Sequence, residues 1–165
     1  VISKKICMVG DFGVGKSSTV ARYVKNAFSD KYQTTVGVKI DTKEVSLADD
    51  TELKMVLWDI AGTDNLKQMN TNYLRGASGY LLVADGTRAE TLETALALKK
   101  QIEAVAGNIP FVGLLNKADL VDDWEIPDSQ YEGLLVRSWD FYKTSALDGD
   151  NIERAFLALA HKVMG

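Results

Sequence analysis

The stretch Gly10-Asp11-Phe12-Gly13-Val14-Gly15-Lys16-Ser17 has the residue types and the spacing of a loop that closes around phosphate groups. It follows an apolar run and opens a helical pattern, the context in which G-x-x-x-x-G-K-[ST] carries that meaning. The glycines let the backbone fold around an anion, so that the N–H groups of Gly13, Val14, Gly15 and Lys16 and the N-terminus of the next helix point at it. Lys16 then neutralises terminal phosphate oxygens, the Ser17 hydroxyl takes one Mg²⁺ position, and Ser18 completes the candidate nucleotide-binding segment.

A phosphate loop alone leaves ATP and GTP open. Two later groups, Asn116-Lys117-Ala118-Asp119 and Thr144-Ser145-Ala146, end the fifth and sixth apolar runs and point to guanine. A carboxylate at Asp119 accepts from N1–H and the exocyclic amine of guanine, whereas adenine sets a lone pair against the same oxygens, a mismatch that discriminates strongly. The Lys117 stem covers one face of the base in this reading, the Ala146 N–H reaches O6, and Phe28 packs from the other side.

These groups need a scaffold that brings loops distant in sequence together. Apolar runs at 5–9, 38–47, 52–60, 80–84, 111–115 and 141–144 read as strands, several of them continuously apolar, as strands buried on both faces tend to be. The second and third are separated by four residues, too few for a crossover helix, so they form an antiparallel hairpin. Helical spacing covers 16–25, 91–106, 129–137 and 151–163. The expectation is an α/β fold: a P-loop nucleotide-binding domain over residues 1–165, with a six-stranded mixed sheet, one antiparallel strand and helices on both faces. In such sheets ligands bind beyond the carboxyl ends of the strands, where the three groups lie.

Composition sets limits. With 46% hydrophobic and 25% charged residues, the chain has the makeup of one globular domain rather than a disordered segment or a disulfide scaffold. Nineteen basic against 23 acidic residues give a net charge of −4, no excess to hold a nucleic-acid backbone. Cys7, within Ile6-Cys7-Met8-Val9, reads as a buried strand residue, and a lone thiol fits a reducing, cytoplasmic compartment. No apolar run approaches the ~18 residues of a membrane span. His161 is assigned no chemistry, Asp122, Asp123 and Glu125 read as a solvated acidic loop, and Lys99 and Lys100 as an exposed helix face.

With these motifs in order, the chain resembles the Ras superfamily of small GTPases from end to end, and most closely its Rab branch. Thr34-Thr35-Val36-Gly37 stands in the place of switch I, and Trp58-Asp59-Ile60-Ala61-Gly62 precedes switch II. Asn72-Tyr73-Leu74-Arg75-Gly76-Ala77 is similar to the Rab motif that follows. The resemblance implies a switch that binds GTP or GDP with Mg²⁺: Thr35 ligates the metal and binds γ-phosphate, the Gly62 N–H binds it from the other side, and Asp59 holds Mg²⁺ through water. Tyr32 closes over the phosphates. Lys16, Thr35, Gly62 and Thr63 form the implied catalytic set. Effectors, exchange factors and activating proteins would dock on residues 30–40 and 61–75, with Trp58 and Tyr73 aligned with effector-facing aromatics. Core packing is the other reading of those rings, and Ile40 replaces the usual Phe. The expected state is a monomer.

Departures from the pattern bear on rate. Thr63 stands where the family carries the Gln that orients the attacking water, so intrinsic hydrolysis is expected to be slow, on the order of 10⁻⁴ per second or lower. Phe12 either faces the γ-phosphate, where its ring obstructs an arginine finger, or turns outward. Asp64 or Asn65 remains an alternative for positioning water. Leu147 replaces a common Lys, which implies a looser flank of the base pocket. The family often ends in prenylated cysteines, and this chain ends His161-Lys162-Val163-Met164-Gly165, without a lipid site. Three explanations stay open: a removed lipidated tail, with peripheral membrane association; a prokaryotic or otherwise divergent Rab-like protein; or a further domain that once followed. Two other functions stay open as well: a GTP-locked binding module with negligible turnover, and a P-loop ATPase or kinase.

Overall fold

The computed structural model describes residues 2–25, 38–60 and 71–165. In chain order the elements are β1 (Ile2–Gly10), α1 (Lys16–Lys25), β2 (Val38–Ser46), β3 (Glu52–Ile60), β4 (Gly79–Asp85), α2 (Ala89–Ala106), β5 (Phe111–Asn116), α3 (Asp128–Val136), β6 (Phe141–Lys143) and α4 (Ile152–Met164). Single 3₁₀ turns at Thr71–Leu74 and Val121–Asp123, which the apolar patterning does not predict, punctuate the connections. Among the described residues the strands form one six-stranded sheet in the order β2-β3-β1-β4-β5-β6. Only the β2–β3 pair is antiparallel, as their short connection requires.

Alternation along each inner strand feeds two cores. Ile6, Met8, Leu81, Val83, Val112 and Leu114 face a layer containing Val20 and Tyr23 of α1 and Phe156, Leu159 and Val163 of α4. Cys7, Val9, Tyr80, Leu82, Ala84 and Leu115 face the opposite layer, with Leu92, Leu98 and Ile102 of α2 and Leu134 of α3. A strand covered on both sides has no polar face to show, and every residue of β4 is buried. Edge strand β2 alternates half-buried and exposed positions and carries Lys39, Asp41, Lys43 and Glu44, charges that discourage further strand pairing.

Two boundaries shift by two residues or more from the sequence reading, each for an identifiable reason. β1 starts at Ile2 because the long β3 offers partners from Leu53 onward (Ile2↔Leu53 through Met8↔Asp59), so exposed Ile2 and Ser3 join the ladder without a core role. α2 starts at Ala89, whose N–H is accepted at 2.8 Å by the Glu125 carboxylate, a partner 36 residues away. That bond also gives Glu125 a structural task, while Asp122 and Asp123 are exposed. The expected exposed face at Lys99 is corrected. Its side chain is 13% accessible and pairs with Glu103, and its ammonium lies over the rings of Phe111 and Trp139.

Candidate functional site

At the carboxyl ends of β1, β3, β4, β5 and β6 the three sequence groups meet. Residues 11–15 leave β1 with Gly13 at φ 75° and Gly15 at φ 99°, backbone that other residues rarely adopt. A Cβ at Gly15 would come within 2.3 Å of Asn116 Nδ2, so the loop passes against the base motif at van der Waals range. Lys16, 7% accessible, turns its ammonium back over the loop and donates to the carbonyls of Gly10 (3.2 Å) and Asp11 (3.1 Å). Burial pushes this ammonium below the usual lysine range, and the carboxylates of Asp59 and Asp11 oppose the shift. An anion beside Lys16 would oppose it further.

Ser17, at the start of α1, donates from Oγ to Asp59 Oδ2 on β3 at 2.5 Å, although 42 residues separate them. Asp59 is 1% accessible. A hydroxyl and a buried carboxylate at this spacing form a hard oxygen donor set that suits Mg²⁺ and offers nothing to a soft metal.

Consecutive loop carbonyls are held from the base-motif side. Asn116 Nδ2 donates to the Val14 carbonyl (3.0 Å), and Lys117 Nζ donates to that of Gly13 (3.1 Å). In a planar trans peptide the N–H of the next residue points the opposite way, so these bonds turn the Val14 and Gly15 N–H groups to the other side of the loop. Asn116 Oδ1 accepts from Thr144 Oγ1 and from the Ala146 N–H, each at 3.3 Å. Ser145 Oγ donates to Asp119 Oδ1 (2.8 Å) and accepts the Asp148 N–H (3.0 Å), which fixes the plane of the Asp119 carboxylate. The described members Gly13, Val14, Gly15, Lys16, Ser17, Asn116, Lys117, Asp119, Ser145 and Ala146 thus share one end of the sheet. Phe28, Tyr32, Thr35, Gly62 and Thr63 lie outside the described residues, as do Asp64 and Asn65.

Several fasteners carry no motif. Arg22 of α1 donates from Nε to the Ala146 carbonyl (2.8 Å) and from Nη2 to that of Leu147 (2.5 Å). It supplies from α1 a grip on the loop flank that the Leu147 side chain does not. Asp85, 1% accessible at the end of β4, pairs with Lys117 at 2.9 Å and with Arg88 at 3.1 Å. Burial raises its pKa, but bonds from Lys117, Thr87 and Arg88 outweigh that, and the carboxyl lies below its ordinary range. A lone acid ending the otherwise uncharged run Gly79–Asp85 was the one signal available for it. Phe12 is 45% accessible, with its N–H bonded to Asp11 Oδ1 (2.7 Å) and its carbonyl to Arg88 (2.9 Å).

Residues 5–165 match the model of the Ras family. The chain belongs to the Ras family. Ras-related protein RABA1e of Arabidopsis thaliana is 36% identical over 154 residues, covering 92% of this chain and 70% of that protein. Ras-related protein YPT3 of Nicotiana plumbaginifolia is 35% identical, and Ras-related protein Rab11D of Lotus japonicus 36% identical, with the same coverage. These relatives place this Ras-family chain among the Rab-like small GTPases, and it is accordingly a GTP-binding switch that hydrolyses GTP. No helix among the described residues is long and apolar enough to cross a membrane.

Proposed function

We propose that this GTPase, a single G domain over residues 1–165, holds guanine nucleotide with Mg²⁺ at the site just described and resets slowly. The observation that carries the reading is the double use of Asn116, whose amide holds the phosphate loop at Val14 while its oxygen holds the base loop at Ala146. Phosphate and base recognition are then one rigid unit, and Asp119, set by Ser145, presents its carboxylate to the guanine edge. Gly13, Val14, Gly15, Lys16, Ser17 and Ser18 bind the phosphates, Lys117 and Phe28 flank the base, and the Ala146 N–H takes O6.

Ser17, Thr35 and, through water, Asp59 would hold Mg²⁺, which neutralises charge on the phosphate oxygens when bound. In hydrolysis water attacks the γ-phosphorus and the bond to the β–γ bridging oxygen breaks, giving GDP and inorganic phosphate. Lys16 stabilises charge on the transferred group, and Thr35 and the Gly62 N–H contact the γ-phosphate until it leaves. Tyr32 covers the phosphates. Thr63 lacks the amide that orients water in this family, and that sets the slow reset. Residues 30–40 and 61–75 recruit effectors and regulators in one nucleotide state.

The described patch of Trp58, Tyr73 and Ile40 supports a protein-docking role. Trp58 and Tyr73 are both half-buried, with ring centroids 6.2 Å apart, and Lys5 Nζ lies 3.7 Å from the Trp58 ring. Ile40, the cross-strand partner of Trp58, is 49% accessible.

Competition against a fluorescent GDP tests base choice. GTP and GDP are expected to displace it at least about a thousandfold more effectively than ATP. ATP competing at similar concentration would overturn the reading.

A further inference from the structure

Asp85 lies outside the phosphate-loop and base motifs, yet its carboxylate is surrounded by donors. Oδ1 accepts from the Thr87 N–H (2.8 Å) and Thr87 Oγ1 (2.6 Å), and Oδ2 accepts from Arg88 Nε (3.1 Å) and Lys117 Nζ (2.9 Å). Each cation has a second bond. Lys117 Nζ continues to the Gly13 carbonyl (3.1 Å), and Arg88 Nη2 to the Phe12 carbonyl (2.9 Å). One buried anion therefore orients two cations onto successive carbonyls of the phosphate loop.

The peptide geometry gives this a consequence at the ligand. With the Phe12 and Gly13 carbonyls drawn toward Arg88 and Lys117, the N–H groups of Gly13 and Val14 are turned to the opposite side of the loop. Those N–H groups belong to the phosphate-binding segment. A peptide free to rotate pays an ordering cost each time nucleotide binds, and a pre-oriented one does not. The backbone around Asp85 is fixed in turn: its N–H donates to Thr91 Oγ1 (2.8 Å), and the Gly86 N–H donates to the Asn116 carbonyl (2.9 Å).

We propose that Asp85 is a positioning residue which, through Arg88 and Lys117, holds the Phe12 and Gly13 peptides in their nucleotide-binding orientation and so sets how long bound nucleotide is retained. Arg88 is the half of the device outside the base motif, and its side chain is 40% accessible, so it can be removed without opening the core. The inference rests on the guanine-nucleotide reading of the site.

The test follows release of a fluorescent GDP, in excess Mg²⁺ and unlabelled GDP, from the parent protein, Arg88→Ala, Arg88→Lys, Asp85→Asn and the Asp85→Asn/Arg88→Ala double variant. Parent retention is measured first, because a parent that keeps no GDP defeats the guanine reading and this inference with it. Arg88→Ala is expected to release GDP on the order of tenfold faster, the loss of one charge-assisted bond. Arg88→Lys, which regains a donor but not both bonds, should fall between parent and Arg88→Ala. Asp85→Asn should be faster than either, and adding Arg88→Ala to it should change little, because Arg88 acts through Asp85. A residue that merely braced the fold would lower melting temperature without this non-additivity. If Asp85→Asn does not fold, the two Arg88 variants decide alone. Release from Arg88→Ala within twofold of the parent, or effects that multiply independently in the double variant, would overturn the proposal.

Discussion

The Asn116 side-chain amide donates to the Val14 carbonyl at 3.0 Å across 102 residues of sequence. With Oδ1 shared between Thr144 and Ala146, one buried side chain joins the phosphate loop, the end of β5 and the loop after β6. Asn116→Ala leaves these partners unbonded at once, at about 1 kcal/mol for each bond lost. GDP affinity measured by calorimetry is expected to fall on the order of a hundredfold. Affinity within a few-fold of the parent would mean that the two loops hold their places without this link.

Asp119 is expected to select the base by its carboxylate. In Asp119→Asn one oxygen becomes an N–H donor, which opposes the exocyclic amine of guanine and matches the carbonyl that xanthine carries at that position, while the remaining oxygen still accepts N1–H. Competition should show xanthosine nucleotides gaining at least about tenfold over guanosine nucleotides. An unchanged guanine preference would remove Asp119 from base recognition.

Ser17 and Asp59, 2.5 Å apart, are assigned to the metal. Chelating Mg²⁺ from the parent should speed GDP release at least about tenfold, since the cation binds phosphate oxygens and the protein together. In Ser17→Ala release with Mg²⁺ present should approach the chelated rate, and chelation should add little. A full chelation effect retained in Ser17→Ala would place the metal on other ligands.

Cys7 predicts behaviour in alkali. Burial raises its thiol from 9.0 to about 11, with Lys5 pulling slightly the other way. The folded state therefore keeps its proton where the unfolded chain loses it, so the contribution is complete below pH 9 and is lost as pH rises toward 11. Urea unfolding at pH 8 and pH 10 should show a loss of about 1 kcal/mol from this group. Cys7→Ala should shrink that difference, and the thiol should resist modification at pH 8 until the protein unfolds. Rapid labelling of folded protein would contradict the burial argument.

β4, β5 and the 6–9 stretch of β1 were legible because they are covered on both faces and read as apolar runs. The phosphate loop, Ser17, Asn116 and Asp119 were legible because each is tied to a fixed spacing on a strand end. Asp85, Arg88 and Arg22 were not. Their partners lie far along the chain, 32 residues from Asp85 to Lys117, 76 from Arg88 to Phe12 and 124 from Arg22 to Ala146, and no local periodicity encodes such a bond. Lys99 misled for a related reason, since a helical charge reads as solvated until the aromatic rings beneath its ammonium are in view.

A single turnover of GTP tests the slow reset most directly. The protein, loaded with GTP and Mg²⁺ and freed of excess nucleotide, is sampled over hours, with GDP formed and GTP retained read by chromatography from the same samples. Thr63 in place of a water-orienting Gln predicts a rate on the order of 10⁻⁴ per second or lower, a half-time of about two hours or longer with GTP still bound. GDP appearing within minutes would contradict it and assign the attacking water to a residue other than Thr63.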